Sequence, residues 1–185
     1  MKHLNQFIIE YIVKKKLEKP VDSEHIYCPQ TKEELIDNIQ ELFDKGQTNL
    51  NCIDTSNITD MSNLFKYLYA NIENNFDVSN WNVSNVTDMS YMFHGCKNFD
   101  CDLSNWDVSN VKDMQYMFKN CYKLKGNGLE NWDVSNVKNT NGMFKDCKNF
   151  EGNGLENWNV KNVKTMSSMF YGCNKLKNIP SWYKD

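Results

Sequence analysis

Residues 106–118 read WDVSNVKDMQYMF, and residues 81–93 read WNVSNVTDMSYMF. A segment that returns almost unchanged after 25 residues marks an array in which one structural unit stacks on copies of itself. Aligned on tryptophan, the units start at Trp81, Trp106, Trp132, Trp158 and Trp182, with spacings of 25, 26, 26 and 24. A degenerate earlier copy, IDTSNITDMSNLF, places Ile53 where the others have Trp. Five copies are near full length, and the last one is truncated.

The columns of this alignment separate structural from variable positions. Two residues after Trp stand Val83, Val108, Val134 and Val160; five after stand Ile58, Val86, Val111, Val137 and Val163. Eight after stand Met61, Met89, Met114 and Met166, with Thr140 as the exception. Phe65, Phe93, Phe118, Phe144 and Phe170 come twelve after, and Cys96, Cys121, Cys147 and Cys173 fifteen after. No single unit can bury these side chains; stacking does. Met89, Met92, Phe93 and Cys96 have the i, i+3, i+4, i+7 spacing of a short helix, and Gly95 and Gly172 suit its end. The β-branched residues before them predict a short strand around the second Val, paired in parallel with the next unit. The expected fold class is therefore an α/β repeat on the leucine-rich-repeat plan. The column Asn57, Asn85, Asn110, Asn136, Asn162 is expected to form a structural ladder, because an amide both donates to and accepts from backbone groups left in the turns.

The pattern W-[DN]-V-S-N-V-x-[DN]-M-x-x-M-F-x-x-C resembles the BspA-like leucine-rich repeats, also catalogued as a bacterial surface-protein repeat of unknown function. The resemblance covers residues 53–182. It implies a right-handed, leucine-rich-repeat-like solenoid used for protein or host-surface binding. Members are secreted or surface-anchored in many cases, and short versions without an export signal, carrying a helical N-terminal cap, resemble proteins of phages and gut bacteria.

Two segments before the repeats have helical spacing. Leu4, Phe7, Ile8, Tyr11 and Ile12 form one stripe, with Lys14, Lys15 and Lys16 where a helix dipole favours cations and Pro20 as the stop. In TKEELIDNIQELFDKG, Thr31 and Glu34 suit a capping box, Leu35, Ile39, Leu42 and Phe43 form the stripe, and Gly46 suits the terminator. The expected organisation is a helical cap over residues 1–48, built of two helices, and a repeat array over 49–185. Caps are needed because an array exposes its core at its ends.

Composition narrows the chemistry. All 21 basic residues are Lys, and the net charge is −3. A nucleic-acid partner is not expected from that balance, and the lack of Arg removes the bidentate clamp for phosphate. The N-terminus does not read as a signal peptide and no segment approaches the ~20 apolar residues of a membrane span, so no membrane insertion is expected. The expected location is the cytoplasm of a bacterium or of an infected host cell, or a virion. The seven cysteines are expected to be reduced. Their repeat column accepts Leu68 in the first copy, which marks it as an apolar position; Cys28 is the expected exposed thiol. No zinc spacing, calcium loop or catalytic motif stands out, and His3, His25 and His94 lie outside the repeat's fixed columns. No cofactor, no metal and no enzymatic activity are expected.

Function is expected where the copies differ. Six after Trp stand Thr59, Thr87, Lys112, Lys138 and Lys164, and ten after stand Asn63, Tyr91, Tyr116, Gly142 and Ser168. Tyr91, Lys112, Asp113, Gln115, Tyr116, Lys138 and Lys164 are the candidate partner-binding residues, since exposed aromatic residues anchor protein interfaces. The alternative for the two tyrosines is that they only cover neighbouring coils. The expected function is a non-catalytic protein-interaction module. The alternatives are a structural component of a phage or virus particle, assembling through the solenoid end or the helical cap, and an adhesin exported by a non-classical route.

Overall fold

The computed structural model describes residues 26–66, 68 and 75–185. The expected first cap helix falls on residues 1–25 and lies outside the described residues. The second helical stretch forms α1, Lys32–Asp44. Thr31 caps it by accepting the Glu34 N–H, and Glu34 reaches back to the Gln30 N–H, one residue before the cap. Gly46 leaves the helix with φ 71°, a left-handed conformation that is cheapest for glycine. Leu35, Ile39 and Leu42 are buried in one core with Leu50, Ile53 and the aromatic columns of the repeats.

Beyond α1 the chain builds layers from turns. Within the layer that starts at Trp81, bonds between residues three apart follow one another: Val86 N–H to Val83 O, Met92 N–H to Met89 O, Cys96 N–H to Phe93 O, Phe99 N–H to Cys96 O. Left-handed residues, Tyr91 at φ 58° and Gly95 at φ 81°, turn the chain between them. Each layer then bonds to the next through alternate N–H groups. Met89, Tyr91, Phe93 and Gly95 donate to the carbonyls of Asp113, Gln115, Met117 and Lys119 at 2.8–2.9 Å. The same set recurs one layer later, from Met114, Tyr116, Phe118 and Asn120.

Side chains reinforce every junction. Trp106, Trp132 and Trp158 stack at 6.3 and 6.5 Å, within 6° of parallel. Each indole N–H reaches a carbonyl of the layer before, Trp106 that of Val78 and Trp132 that of Leu103. Phe93, Phe118 and Phe144 stack at 5.4 and 5.7 Å. Asn85, Asn110, Asn136 and Asn162 donate their amides to the carbonyls of Ser56, Ser84, Ser109 and Ser135, at 2.7–2.8 Å. Cys121, Cys147 and Cys173 point their thiols at the carbonyls of Phe93, Phe118 and Phe144.

The expected fold class does not hold. Among the described residues there is one α-helix, with the 3₁₀ turns Leu129–Asn131 and Leu155–Asn157, and no strand or sheet. The described residues therefore do not form an α/β leucine-rich-repeat-like solenoid with short parallel strands, and they hold one helix, not two, ahead of the repeats. Among the described residues parallel contacts exist only as isolated bridges: Tyr27–Ile53 and Asn49–Asp77 at the start and, along the repeat column, Asp60–Asp88, Asp88–Asp113, Asp113–Asn139 and Asn139–Thr165. Those of the column sit seven residues after Trp rather than around the second Val. The physical reason is local. Turns and left-handed residues follow each bridge of the column at once, so no run of extended residues grows into a strand. The helix expected at Met89–Cys96 is the same chain of turns, whose three-residue closures give the apolar spacing of a helix.

Candidate partner-binding face

The seven proposed binding residues fall on and beside the bridge column. Asp88 and Asp113 fix the local backbone first: their Oδ1 atoms accept the N–H of Ser90 and Gln115, two residues on, at 2.8 Å. Asn139 does the same for Asn141 at 3.1 Å. This use of the carboxylate in a local turn explains why Asp and Asn exchange freely in the column, since either supplies the oxygen. Asp60, in the first layer, is held below the usual carboxylate range: burial raises it, but the Ser62 N–H and hydroxyl and the Lys32 ammonium outweigh that. Lys32 reaches Asp60 at 3.2 Å and Ser62 at 2.7 Å, tying α1 to this column.

Four of the candidates meet in one cluster. Tyr91 and Tyr116 lie with ring centres 5.1 Å apart at 44°. The Gln115 amide donates to the Tyr91 hydroxyl at 2.9 Å. Asp113 joins through Asn139, whose amide donates to Asp113 Oδ2 at 3.1 Å and to Gln115 Oε1 at 2.8 Å, while Thr165 donates to Asn139 Oδ1 at 2.9 Å. Cations border the rings: Lys119 Nζ stands 5.1 Å from the centre of Tyr116 and Lys66 Nζ 6.0 Å from that of Tyr91, close enough for cation–π attraction. His94 packs edge-on to Tyr91, and burial, helped by Lys119 and Lys66, holds its imidazole below the ordinary value.

Lys112, Lys138 and Lys164 do not enter that cluster. They form an exposed file one position before the bridge column. Their backbones are in direct contact, Lys138 N–H to Lys112 O and Lys164 N–H to Lys138 O at 2.8 Å. The ammonium groups therefore start from Cα atoms about 4.8 Å apart, the spacing of adjacent bridged chains. The face thus combines a half-buried tyrosine pair with a file of cations.

Asn139 and Gly142 were missed as parts of this face. Asn139 ends the run of acids Asp60, Asp88 and Asp113, and an amide there can donate to Asp113 where a fourth carboxylate would repel it. A Cβ on Gly142 would stand 2.1 Å from the Tyr116 ring, so the missing side chain is what lets that ring lie over the next layer. The signal for both was a departure from the repeat at one copy.

The cysteines are all free thiols, and burial pushes those of Cys121 and Cys147 well above their ordinary value. Cys28, the expected exposed thiol, is half-buried. Among the described residues no group of three or more His, Cys, Asp or Glu side chains is placed to hold a metal, and no helix is long and apolar enough to cross a membrane.

A family model described as "Mycoplasma protein of unknown function, DUF285" matches residues 36–128 and 122–184. Neither a curated protein nor a solved structure matches the chain. The resemblance to the BspA-like leucine-rich repeats is corrected by this match, which is to a different family model. The columns that carried the resemblance are the Trp, Val, Met, Phe and Cys positions that any stack of such layers buries.

Proposed function

We propose that this chain, which belongs to the family described as Mycoplasma protein of unknown function, DUF285, is a non-catalytic module that binds a protein partner through the tyrosine and lysine face. One observation carries the reading. The repeat spends its Trp, Val, Met, Phe and Asn columns on holding layers together, whereas Tyr91, Gln115 and Tyr116 stand outside that frame, beside an exposed cation file. Rings with a polar tip, held in place by neighbours, lose little conformational entropy on binding and are favoured at interface centres. The lysine file adds attraction for an acidic surface and speeds encounter with it. An evenly repeated surface also lacks the single asymmetrical constellation that catalysis requires.

The test is affinity capture from the source cells, with cross-linking and mass spectrometry, using the wild-type chain, Y91A/Y116A and K112E/K138E/K164E. The expected outcome is one or more proteins enriched by the wild type and lost with both variants, while the melting temperature of the lysine variant stays near that of the wild type. A partner captured equally by all three would overturn the assignment of this face.

A further inference from the structure

The layer that starts at Trp158 carries a backbone edge that every earlier layer buries. In the layer before it, Thr140, Gly142, Phe144 and Asp146 donate their N–H groups to the carbonyls of Thr165, Ser167, Met169 and Tyr171 at 2.7–3.0 Å. The corresponding groups of the Trp158 layer belong to Met166, Ser168, Phe170 and Gly172. Ser168 donates to Asp185 Oδ1 at 2.7 Å. No acceptor among the described residues meets the other three. A carboxylate oxygen therefore already sits where the geometry of the stack calls for a carbonyl, and it marks what this edge takes. Tyr183 steadies it, facing the backbone of Ser168 and Met169 and pairing with Asp185.

The apolar surface beside the edge is equally incomplete. Ile179 is 65% exposed, although its counterparts Leu129 and Leu155 are fully buried. Val163 and Leu176 are half-buried where Val137 and Phe150 are closed. The shorter spacing from Trp158 to Trp182 contributes, because the loop at 177–181 lacks two residues of the preceding loops and leaves the Gly154–Glu156 stretch open.

A second copy of this chain is a poor occupant. At the opposite end of the stack, α1 packs on the first layers and Lys32 bonds to Asp60 and Ser62. Two copies meeting tail to tail would set donors against donors. Charge favours an acidic occupant, since Lys161, Lys164, Lys175 and Lys184 are all exposed in or beside this layer.

We propose that the edge formed by Met166, Ser168, Phe170 and Gly172 is a docking site for an acidic segment of a partner protein, bound through its backbone carbonyls in the register that the layers use among themselves. Binding by strand-like addition to a backbone edge draws affinity from main-chain hydrogen bonds and selectivity from side chains in the flanking pockets. Asp185 occupies one position in cis and is displaced on binding. This site shares Lys164 with the lysine file but draws its hydrogen bonds from a backbone edge that the tyrosine pair does not touch, so loss of the tyrosine reading leaves this one standing.

The probe is a synthetic peptide copying residues 132–146 with Glu in place of Lys138 and Lys145. It carries the carbonyls of a layer and an acidic charge. Amide exchange in the full chain is followed by NMR. Saturating peptide is expected to slow exchange about tenfold at Met166, Phe170 and Gly172 while leaving Tyr91 and Tyr116 unchanged. D185A, an exposed position whose change leaves the core intact, is expected to extend the protection to Ser168 and tighten binding several-fold. Unchanged exchange in both proteins, or equal protection by a scrambled peptide, would overturn the proposal. So would protection that grows with protein concentration alone, accompanied by dimers in sedimentation, because the occupant would then be a second copy.

Discussion

At the scale of single residues, the position ten after Trp does two jobs. Asn63, Tyr91, Tyr116, Gly142 and Ser168 are all left-handed, with φ between 52° and 58°. Ordinary L residues resist that conformation by roughly 1–2 kcal/mol, so the column stores strain that the interlayer bonds hold in place. In Gly142→Ala that strain adds to the overlap with the Tyr116 ring 2.1 Å away. The variant is expected to lose about 1–3 kcal/mol in urea denaturation, and Y116A in the same chain is expected to recover part of that loss. Additive losses would mean that the ring does not depend on the gap at Gly142. A second prediction concerns the thiols. Burial raises Cys121 and Cys147 well above their ordinary value, and Cys173 to about 12. Since the folded values lie above the unfolded one, their contribution to stability is complete below the unfolded value of about 8.5 and is lost as pH rises toward the folded values. Urea midpoints should hold from pH 7 to 8 and fall between pH 9 and 11 under reducing conditions, with a shallower fall in C121A/C147A. A parallel fall in both proteins would remove the thiols as the cause.

At the scale of elements, the inward columns were readable because they only require counting. Trp, Val, Met, Phe and Cys at fixed offsets from each other must share a side if the units stack, and those of the interior layers are buried. The identity of the elements was not readable. Met89, Met92, Phe93 and Cys96 have helical spacing, yet a chain of three-residue turns with a left-handed residue between closures yields the same spacing. The missing information is φ at Tyr91, which a non-glycine residue conceals. The acid columns hid their role for a similar reason. Asp107 and Asp133 repeat with the units, and each Oδ1 accepts the N–H of the serine two residues on, Ser109 or Ser135. Where a known local rule applied, the element followed it: the Thr31 cap and the left-handed Gly46 bound α1. Thr31→Ala should cost about 1 kcal/mol, seen as a lower melting temperature. Trp106→Phe tests the junctions. It keeps a ring in the stack but leaves the Val78 carbonyl without the indole N–H that meets it at 3.0 Å. A loss of roughly 1–3 kcal/mol is expected, the penalty for a buried polar group left unpaired. A loss below about 0.5 kcal/mol would show that stacking, not the hydrogen bond, holds the junction.

At the scale of the whole molecule, stability should be a sum over layers and junctions, because each layer touches only its neighbours. The ladder makes this testable, since its bonds join equivalent positions one period apart. Deleting residues 106–131 removes one period and sets Trp132 directly after Asn105. Every junction group then has a substitute: Trp132 can take the Val78 carbonyl from Trp106, and Met89 and Tyr91 can donate to Asn139 and Asn141 in place of Asp113 and Gln115. The Asn column closes in the same way, with Asn136 reaching Ser84 where Asn110 did. The shortened chain should therefore fold and unfold in one cooperative transition, at a lower midpoint. It should also lose the face, because Tyr91 would lie against Gly142 rather than Tyr116. Deleting residues 106–118 alone removes half a period. Trp81 and the remaining half-layer would then meet non-equivalent positions, with apolar columns facing turns and N–H groups facing side chains. That chain should show no cooperative transition in circular dichroism. If both deletions fold, the layers are not specified by register. If neither folds, the junctions are not interchangeable, and the layers differ energetically more than their nearly identical sequences and contacts imply.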